Sequence, residues 1–425
     1  MGKLIRWVFV YFYPIFMVVY YLIMRGINLN SVVMLPIFAL LGIKAIEMAF
    51  KYANHPFVKM TSIFLIYSLL TGAFYIFNNT PFNCYTNSLR QFVFPILFAF
   101  LGCCYSNDNA FNKWYLIACA ACFVVGFYLY TTGPGYYVAF LNEARSNLWY
   151  ADENQYLNET NILDFTRFSS FFTTSYIIAF FSIPALTLSL GYSLDDNRPI
   201  GKPWCYAVAV VSFIAAFLCQ QRIAIVFAML IALFYGLFSS RLANIKKGAS
   251  LWLVYLVIAI LVFFIGGSIA HFEWFDRIAE LVGSRFDAMS FSQAMSERTG
   301  QYSSFDRATG FSYIFGLGLG SCGHAAGAAG LKAIHDGEFI KLFYEFGIVG
   351  CSLLAFLVVS TLKRGLKNFK QYHPEVIIIV FYLAGGIGAD SLTFFVYSAM
   401  FWYSMGRIWN GNVISRQQNK NYKTA

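Results

Sequence analysis

An all-α, polytopic membrane protein is the fold class this sequence predicts, on three observations. Hydrophobic residues make up 59% of the 425-residue chain and charged residues only 12%, about half the charge of a typical soluble domain. The apolar residues gather into twelve runs, most of them about long enough to cross a hydrocarbon core of about 30 Å. Lysine and arginine cluster at alternate ends of those runs, the pattern of cytoplasmic loops.

In order, the runs lie near 7–24, 31–50, 60–78, 88–105, 113–132, 170–192, 204–220, 223–239, 250–270, 342–362, 375–388 and 391–407. Lys3 and Arg6 precede the first run without a small-residue cleavage site after it, so it is expected to be a retained span. Lys44 and Glu47 stand three residues apart in the second, a spacing that lets them neutralise each other. The last two runs are short and meet at Gly385–Gly388, which suits a tight hairpin. Residues 1–425 are thus expected to form a single integral membrane domain with about 12 transmembrane helices and both termini cytoplasmic. Two large periplasmic loops, 133–169 and 271–341, carry aromatics and regular apolar positions that suit short amphipathic helices on the membrane surface.

The formal charge of +10 does not imply a nucleic-acid partner. More than half of the 30 Lys and Arg residues fall in the inner clusters, from Lys3 and Arg6 through Lys51 and Lys59, Arg241 to Lys247, and Lys363 to Lys370, to the C-terminal tail. That distribution is topology, not a phosphate-tracking surface. Among nine cysteines, Cys119 and Cys122 form a C-x-x-C inside an apolar run without a second pair, which suits buried small hydrophobes better than a metal. Cys84 and Cys322 both fall on the outer side, where pairing is open to them. There is no Walker loop, no dinucleotide fingerprint and no acidic or His-rich metal cluster on the outer side. No cofactor and no metal are expected, so energy must come from the substrate or from a gradient.

The residues that stand out are charges where charge is scarce. Arg222 sits at the outward junction of two spans joined by almost no loop. It is either an interfacial anchor or a site residue, and a guanidinium can grip two phosphate oxygens at once. Arg298 and Arg307 follow in SERTGQYSSFDRATG, ahead of the glycine-rich Gly316–Ser321. Such a cluster is either a flexible turn or a loop whose N–H groups approach an anion. His335, flanked by Asp336 and Glu338, has the company of a general base. His324 is a weaker competitor in a small-residue stretch. Arg167 and Arg90 stand at outward ends of spans, where an anchoring role is also open to them. Asp390, in the outward turn of the last hairpin, has no evident role.

The ordered set is R-x-S-S-F-F (Arg167 to Phe172), Q-R-x-A at Arg222, S-x-R at Arg298, G-L-G-L-G-S, and His335-Asp336 followed by G-I-V-G. In that order the motifs resemble the bacterial O-antigen polymerase/ligase superfamily, membrane glycosyltransferases with a large periplasmic loop. The motif-bearing stretch covers about residues 160–355. Asp336 and a longer spacing to the final Gly-x-x-Gly depart from the ligase pattern, which favours a polymerase. The resemblance implies a lipid-sugar glycosyltransferase (GT-C-like) class fold, metal-independent, in the inner membrane with its active site facing the periplasm. The implied substrate is an undecaprenyl-diphosphate-linked oligosaccharide, polymerised into O-antigen or other polysaccharide. Membrane lipid and a chain-length-regulating co-polymerase are the implied partners. His335, Arg222 and Arg298 would be catalytic; Arg167, Arg307, Arg90 and His324 would bind diphosphate or sugar. An O-antigen ligase and a lipid-linked saccharide transporter are the alternatives, the latter expected to carry inverted repeats.

Overall fold

The computed structural model describes residues 4, 6–26, 30–76, 80–105, 109–139, 168–170, 172, 175–195, 199–243, 308, 310–323, 326–327, 329–334 and 337–409. All regular structure among them is helical, with no strand. A π-helical turn (Trp7–Phe12) leads into α1 (Tyr13–Gly26), followed by α2 (Asn30–Lys51), α3 (Pro56–Gly72), α4 (Phe82–Ser88) and α5 (Phe94–Cys104). Then come α6 (Ala110–Thr132), α7 (Ser175–Ser193), α8 (Lys202–Leu218), α9 (Arg222–Ala243), α10 (Gly310–Phe315), α11 (Glu338–Lys367), α12 (Phe369–Gly385) and α13 (Phe395–Trp409).

Eleven of the expected runs coincide with helices, and the run at 250–270 lies outside the described residues. Among the described residues, four segments are long and apolar enough to cross a membrane: Phe82–Cys104, Ala110–Thr132, Ser175–Ser193 and Glu338–Lys367. Their bounds follow local chemistry. Pro56 opens α3, where a missing N–H costs nothing. α7 starts at Ser175, later than expected, and before it the chain takes a left-handed φ of 50° at Ser170. α11 begins at Glu338, four residues before its apolar run, and therefore takes in the last residues of segment 271–341, expected from the sequence to be a periplasmic loop.

The chain forms two compact units: Met1–Phe9, Ser31–Asp108 and Met295–Ala425 make the first, and Val10–Asn30 with Asn109–Ala294 the second. In the first unit, α5 and α13 run in the same direction with Phe94 against Phe395 at one end. At the other end their backbones touch: a Cβ on Gly102 would lie 2.1 Å from the Tyr403 carbonyl oxygen, and one on Gly406 would lie 2.0 Å from that of Ala99. Small residues let the two backbones approach this closely. α3 runs against α13, with Phe57 on Trp409 and Phe64 on Trp402. α12 and α13 form the expected hairpin, Tyr382 donating to the Tyr397 carbonyl near its turn and Arg407 pairing with Glu375 at 2.7 Å near its ends. Phe64, Phe92, Phe346 and Trp402 make the aromatic core.

In the second unit α7 is buried along its whole length. It runs against α6, with Asn112 donating to the Tyr192 hydroxyl at 2.6 Å and the Tyr115 hydroxyl to the Phe181 carbonyl at 3.0 Å. It runs with α9, since Gln221 meets Ser175 and Tyr235 meets Thr187.

Candidate functional site

Two pairs of sequence motifs come together, one pair in each unit. In the second unit, the turn between α8 and α9 places Arg222 at the first position of α9, half-buried. The Phe168 N–H donates to the Leu218 carbonyl at 3.1 Å, and the Gln221 amide donates to Ser175 Oγ at 3.2 Å. Ser170 is anchored on α6: its hydroxyl donates to the Cys122 carbonyl at 2.9 Å, and its own carbonyl accepts from Tyr137 at 2.8 Å. Thus the described residues Phe168–Ser170 of the first motif and Gln221–Arg222 of the second share one corner. Among the described residues, the non-glycine residues with left-handed φ are Ser170 and Gln220, at 50° and 53°. Both lie in this corner, and such backbone is unfavourable and collects at functional sites. An arginine opening a helix adds its charge to N–H groups that already favour anions. Arg222 and the first N–H groups of α9 thus stand together at this corner.

In the first unit the glycine-rich loop meets G-I-V-G. Gly347, with φ 63° and ψ −172°, breaks α11, which leaves the carbonyls of the turn before it without intrahelical donors. The loop supplies replacements. Leu317 N–H donates to the Tyr344 carbonyl at 2.7 Å and Gly318 N–H to that of Glu345 at 3.1 Å, while the Tyr67 hydroxyl donates to that of Phe346 at 2.7 Å. The approach is so close that a Cβ on Gly316 would lie 2.1 Å from the Glu345 carbonyl oxygen, and one on Gly347 2.4 Å from that of Ile314. The loop also cradles a carboxyl group, and that group is internal. Cys322 N–H donates to Glu345 Oε1 at 3.2 Å, and Gly320 N–H serves the same carboxylate. Of the two roles open to the loop, flexible turn or N–H cradle, the cradle is built, around the protein's own carboxylate.

Beside it lies a buried charge cluster. Lys341 Nζ donates to Asp390 Oδ1 at 2.6 Å and to Thr393 Oγ1 at 2.5 Å, and lies 3.5 Å from Glu338 Oε1. Glu338 Oε2 accepts from the backbone N–H groups of Leu392 and Thr393, at 2.9 and 3.3 Å. All of these side chains are buried, Glu338 completely. Two carboxyl groups, those of Asp390 and Glu338, thus share one ammonium. Buried charge on this scale persists only where each group finds partners, and here the partners tie α11 to the 386–394 turn and to the glycine loop.

Of the residues singled out from the sequence, Arg222 and Arg90 are described and belong to different units. Arg167, Arg298, Arg307, His324 and His335 lie outside the described residues. Arg90 occupies a π-helical turn, Leu89–Val93, between α4 and α5. Its Nη2 donates to Asn87 Oδ1 at 2.8 Å, and its guanidinium lies 5.5 Å from the centre of the Phe395 ring. Cys84 and Cys322 are both buried thiols. Sequence reasoning missed Lys341, Glu345 and the role of Asp390. The signal was present in E-F-I-K-L-F-Y-E, residues 338–345, where offsets of three and seven put all three charges on one helix face. No protein-family model matches this chain, and no curated protein matches it.

Proposed function

We propose that this protein polymerises undecaprenyl-diphosphate-linked oligosaccharide repeat units on the periplasmic side of a bacterial inner membrane. In this reading the chain crosses the membrane about twelve times, as a lipid-sugar glycosyltransferase of the GT-C-like class. The opposed directions of α3 and α5, and the shared direction of α5, α11 and α13, support that alternation.

The observation that carries the proposal is the meeting of the Phe168–Ser170 segment with the α8–α9 turn in the second unit. There two motifs of the polymerase/ligase superfamily, 50 residues apart in sequence, meet on strained backbone at Ser170 and Gln220 with Arg222 at the helix start. The reaction breaks the bond from the sugar anomeric carbon to phosphate, and the electron pair leaves with the diphosphate. An acceptor hydroxyl forms the new glycosidic bond and gives up its proton. Arg222 and Arg298 neutralise the leaving diphosphate, with Arg167 and Arg307 assisting, at several kcal/mol of transition-state stabilisation. His335 takes the hydroxyl proton, a role worth about 10²–10⁴-fold in rate, and His324 and Arg90 contact substrate. The acceptor is the terminal sugar of a fresh lipid-linked repeat.

The test is chain extension by purified protein given its lipid-linked repeat. Wild type should yield a ladder of products, and Arg222→Ala should yield single repeats while still inserting into membranes. A ladder of normal length from Arg222→Ala removes that residue from the site. Polymer that forms elsewhere but stays unattached when the protein is lost would instead favour a ligase.

A further inference from the structure

We infer that Arg90 binds the diphosphate of the acceptor lipid, a second anionic subsite that does not take part in bond breaking; this rests on the polymerase reading. A polymerase of this kind joins two substrates of one chemical class. The donor loses its diphosphate, whereas the acceptor keeps its own with every bond intact. Both diphosphates must be held while the acceptor hydroxyl reacts, and each carries dense negative charge that calls for a cation.

Three observations single out Arg90. First, the other half-buried or buried cations of the same unit are partnered differently: Lys44 has Glu47, Lys341 has Asp390, Arg407 has Glu375, and Arg364 donates its Nε to the Ile408 carbonyl at 3.1 Å. No carboxylate among the described residues pairs with Arg90. Second, its Nε is sealed from solvent without an acceptor, a state that costs free energy until an acceptor arrives. Third, the guanidinium is held, not loose. Asn87 fixes Nη2, the Phe395 ring supports its face, and Gln91 Oε1 accepts from the Phe395 N–H at 3.3 Å, locking the π-turn to the start of α13. π-turns inside helices recur at functional sites. A fixed guanidinium with an unmet donor and no counter-ion among the described residues is suited to a phosphate oxygen.

The experiment uses full-length protein in phosphatidylcholine nanodiscs titrated with farnesyl diphosphate, with inorganic pyrophosphate as the lipid-free probe. Wild type should bind two equivalents of farnesyl diphosphate. Arg90→Ala should lose one of them, weakened about 10–100-fold, and Arg90→Lys should fall between, since it keeps charge but loses the fork. Arg222→Ala should lose the other. If Arg90→Ala binds both equivalents as wild type does, the inference is overturned. If discs containing phosphatidylglycerol abolish the Arg90-dependent equivalent, the site serves lipid headgroups in general and the inference is overturned too. Binding lost only in Arg222→Ala leaves the polymerase reading standing without this subsite; binding in neither place removes both. A kinetic arm separates anchoring from chemistry. With a diphosphate-linked acceptor, Arg90→Ala should raise KM with kcat nearly unchanged. With the same saccharide on a neutral octyl aglycone the KM difference between Arg90→Ala and wild type should narrow, and an equal loss on both acceptors rejects the assignment.

Discussion

Lys341 and Asp390, 49 residues apart in the chain, form a 2.6 Å ion pair inside the first unit, and the same ammonium faces Glu338 at 3.5 Å. One cation thus holds the start of α11 against the turn between α12 and α13. Removing one partner of a buried pair leaves the other uncompensated, at about 3–5 kcal/mol. Lys341→Met strands Glu338 and Asp390 together, so it should lower thermal stability more than Asp390→Asn, which leaves Glu338 to face the ammonium. Thermal unfolding of detergent-purified variants measures this, and Lys341→Met with Asp390→Asn combined should cost less than the two singles added. Equal, additive losses would mean that the two residues do not share a network.

Glu345 offers a sharper distinction between charge and hydrogen bonding. Its carboxylate accepts from Cys322 N–H and is served by Gly320 N–H. Glu345→Gln keeps an acceptor oxygen for the loop, whereas Glu345→Ala leaves two buried donors without one, each costing about 1–3 kcal/mol. Glu345→Ala should therefore expose the glycine loop to limited proteolysis and Glu345→Gln should protect it. Similar cleavage of the two variants would show that the loop does not depend on this acceptor.

Gly347 separates backbone strain from steric clash. Alanine there would meet both a φ of 63° and the Ile314 carbonyl oxygen at 2.4 Å, while Gly330 has φ 77° with nothing within 4 Å. Left-handed backbone costs an L-residue about 1–2 kcal/mol. Gly330→Ala should lose about that much in thermal stability, and Gly347→Ala should lose more, or fail to accumulate as monodisperse protein. Indistinguishable melting of the two would place the Ile314 carbonyl away from Gly347.

Much of the helical frame was legible in the sequence because hydropathy and helix length report the same physics. The run at 113–132 appears as Ala110–Thr132, and the Lys44–Glu47 pair closes at 2.9 Å as its spacing suggested. The buried cluster was not legible in the same way. Three charges in eight residues, Glu338 to Glu345, look like a solvated segment when counted along the chain. What buries them is tertiary: Asp390 and Thr393 arrive from the last hairpin, and Cys322 from the glycine loop. The glycine cluster announced close backbone approach but not its partner, which is a helix broken by a glycine about 30 residues later. Of the candidate site, Arg222 was found by its charge at a span junction. The strain at Ser170 and Gln220 could not be foreseen, since neither residue type demands a left-handed φ.

The crossing of α5 and α13 gives the last test. Gly102 and Gly406 each press against a carbonyl oxygen of the other helix, leaving no volume for a methyl group. Alanine at either position forces the helices apart, and overpacking of this kind costs about 1–3 kcal/mol. Gly42 on α2 has nothing within 4 Å of where its Cβ would stand, so alanine there should be neutral or stabilising by about 0.5–1 kcal/mol. Because the α5–α13 contact also sets Phe94 against Phe395, and Phe395 supports Arg90, Gly102→Ala should weaken the Arg90-dependent equivalent of farnesyl diphosphate as well as lower the melting temperature. Gly42→Ala should leave both unchanged or improved. Should Gly102→Ala melt like wild type, the two backbones do not touch as described, and the link from this crossing to Arg90 goes with it.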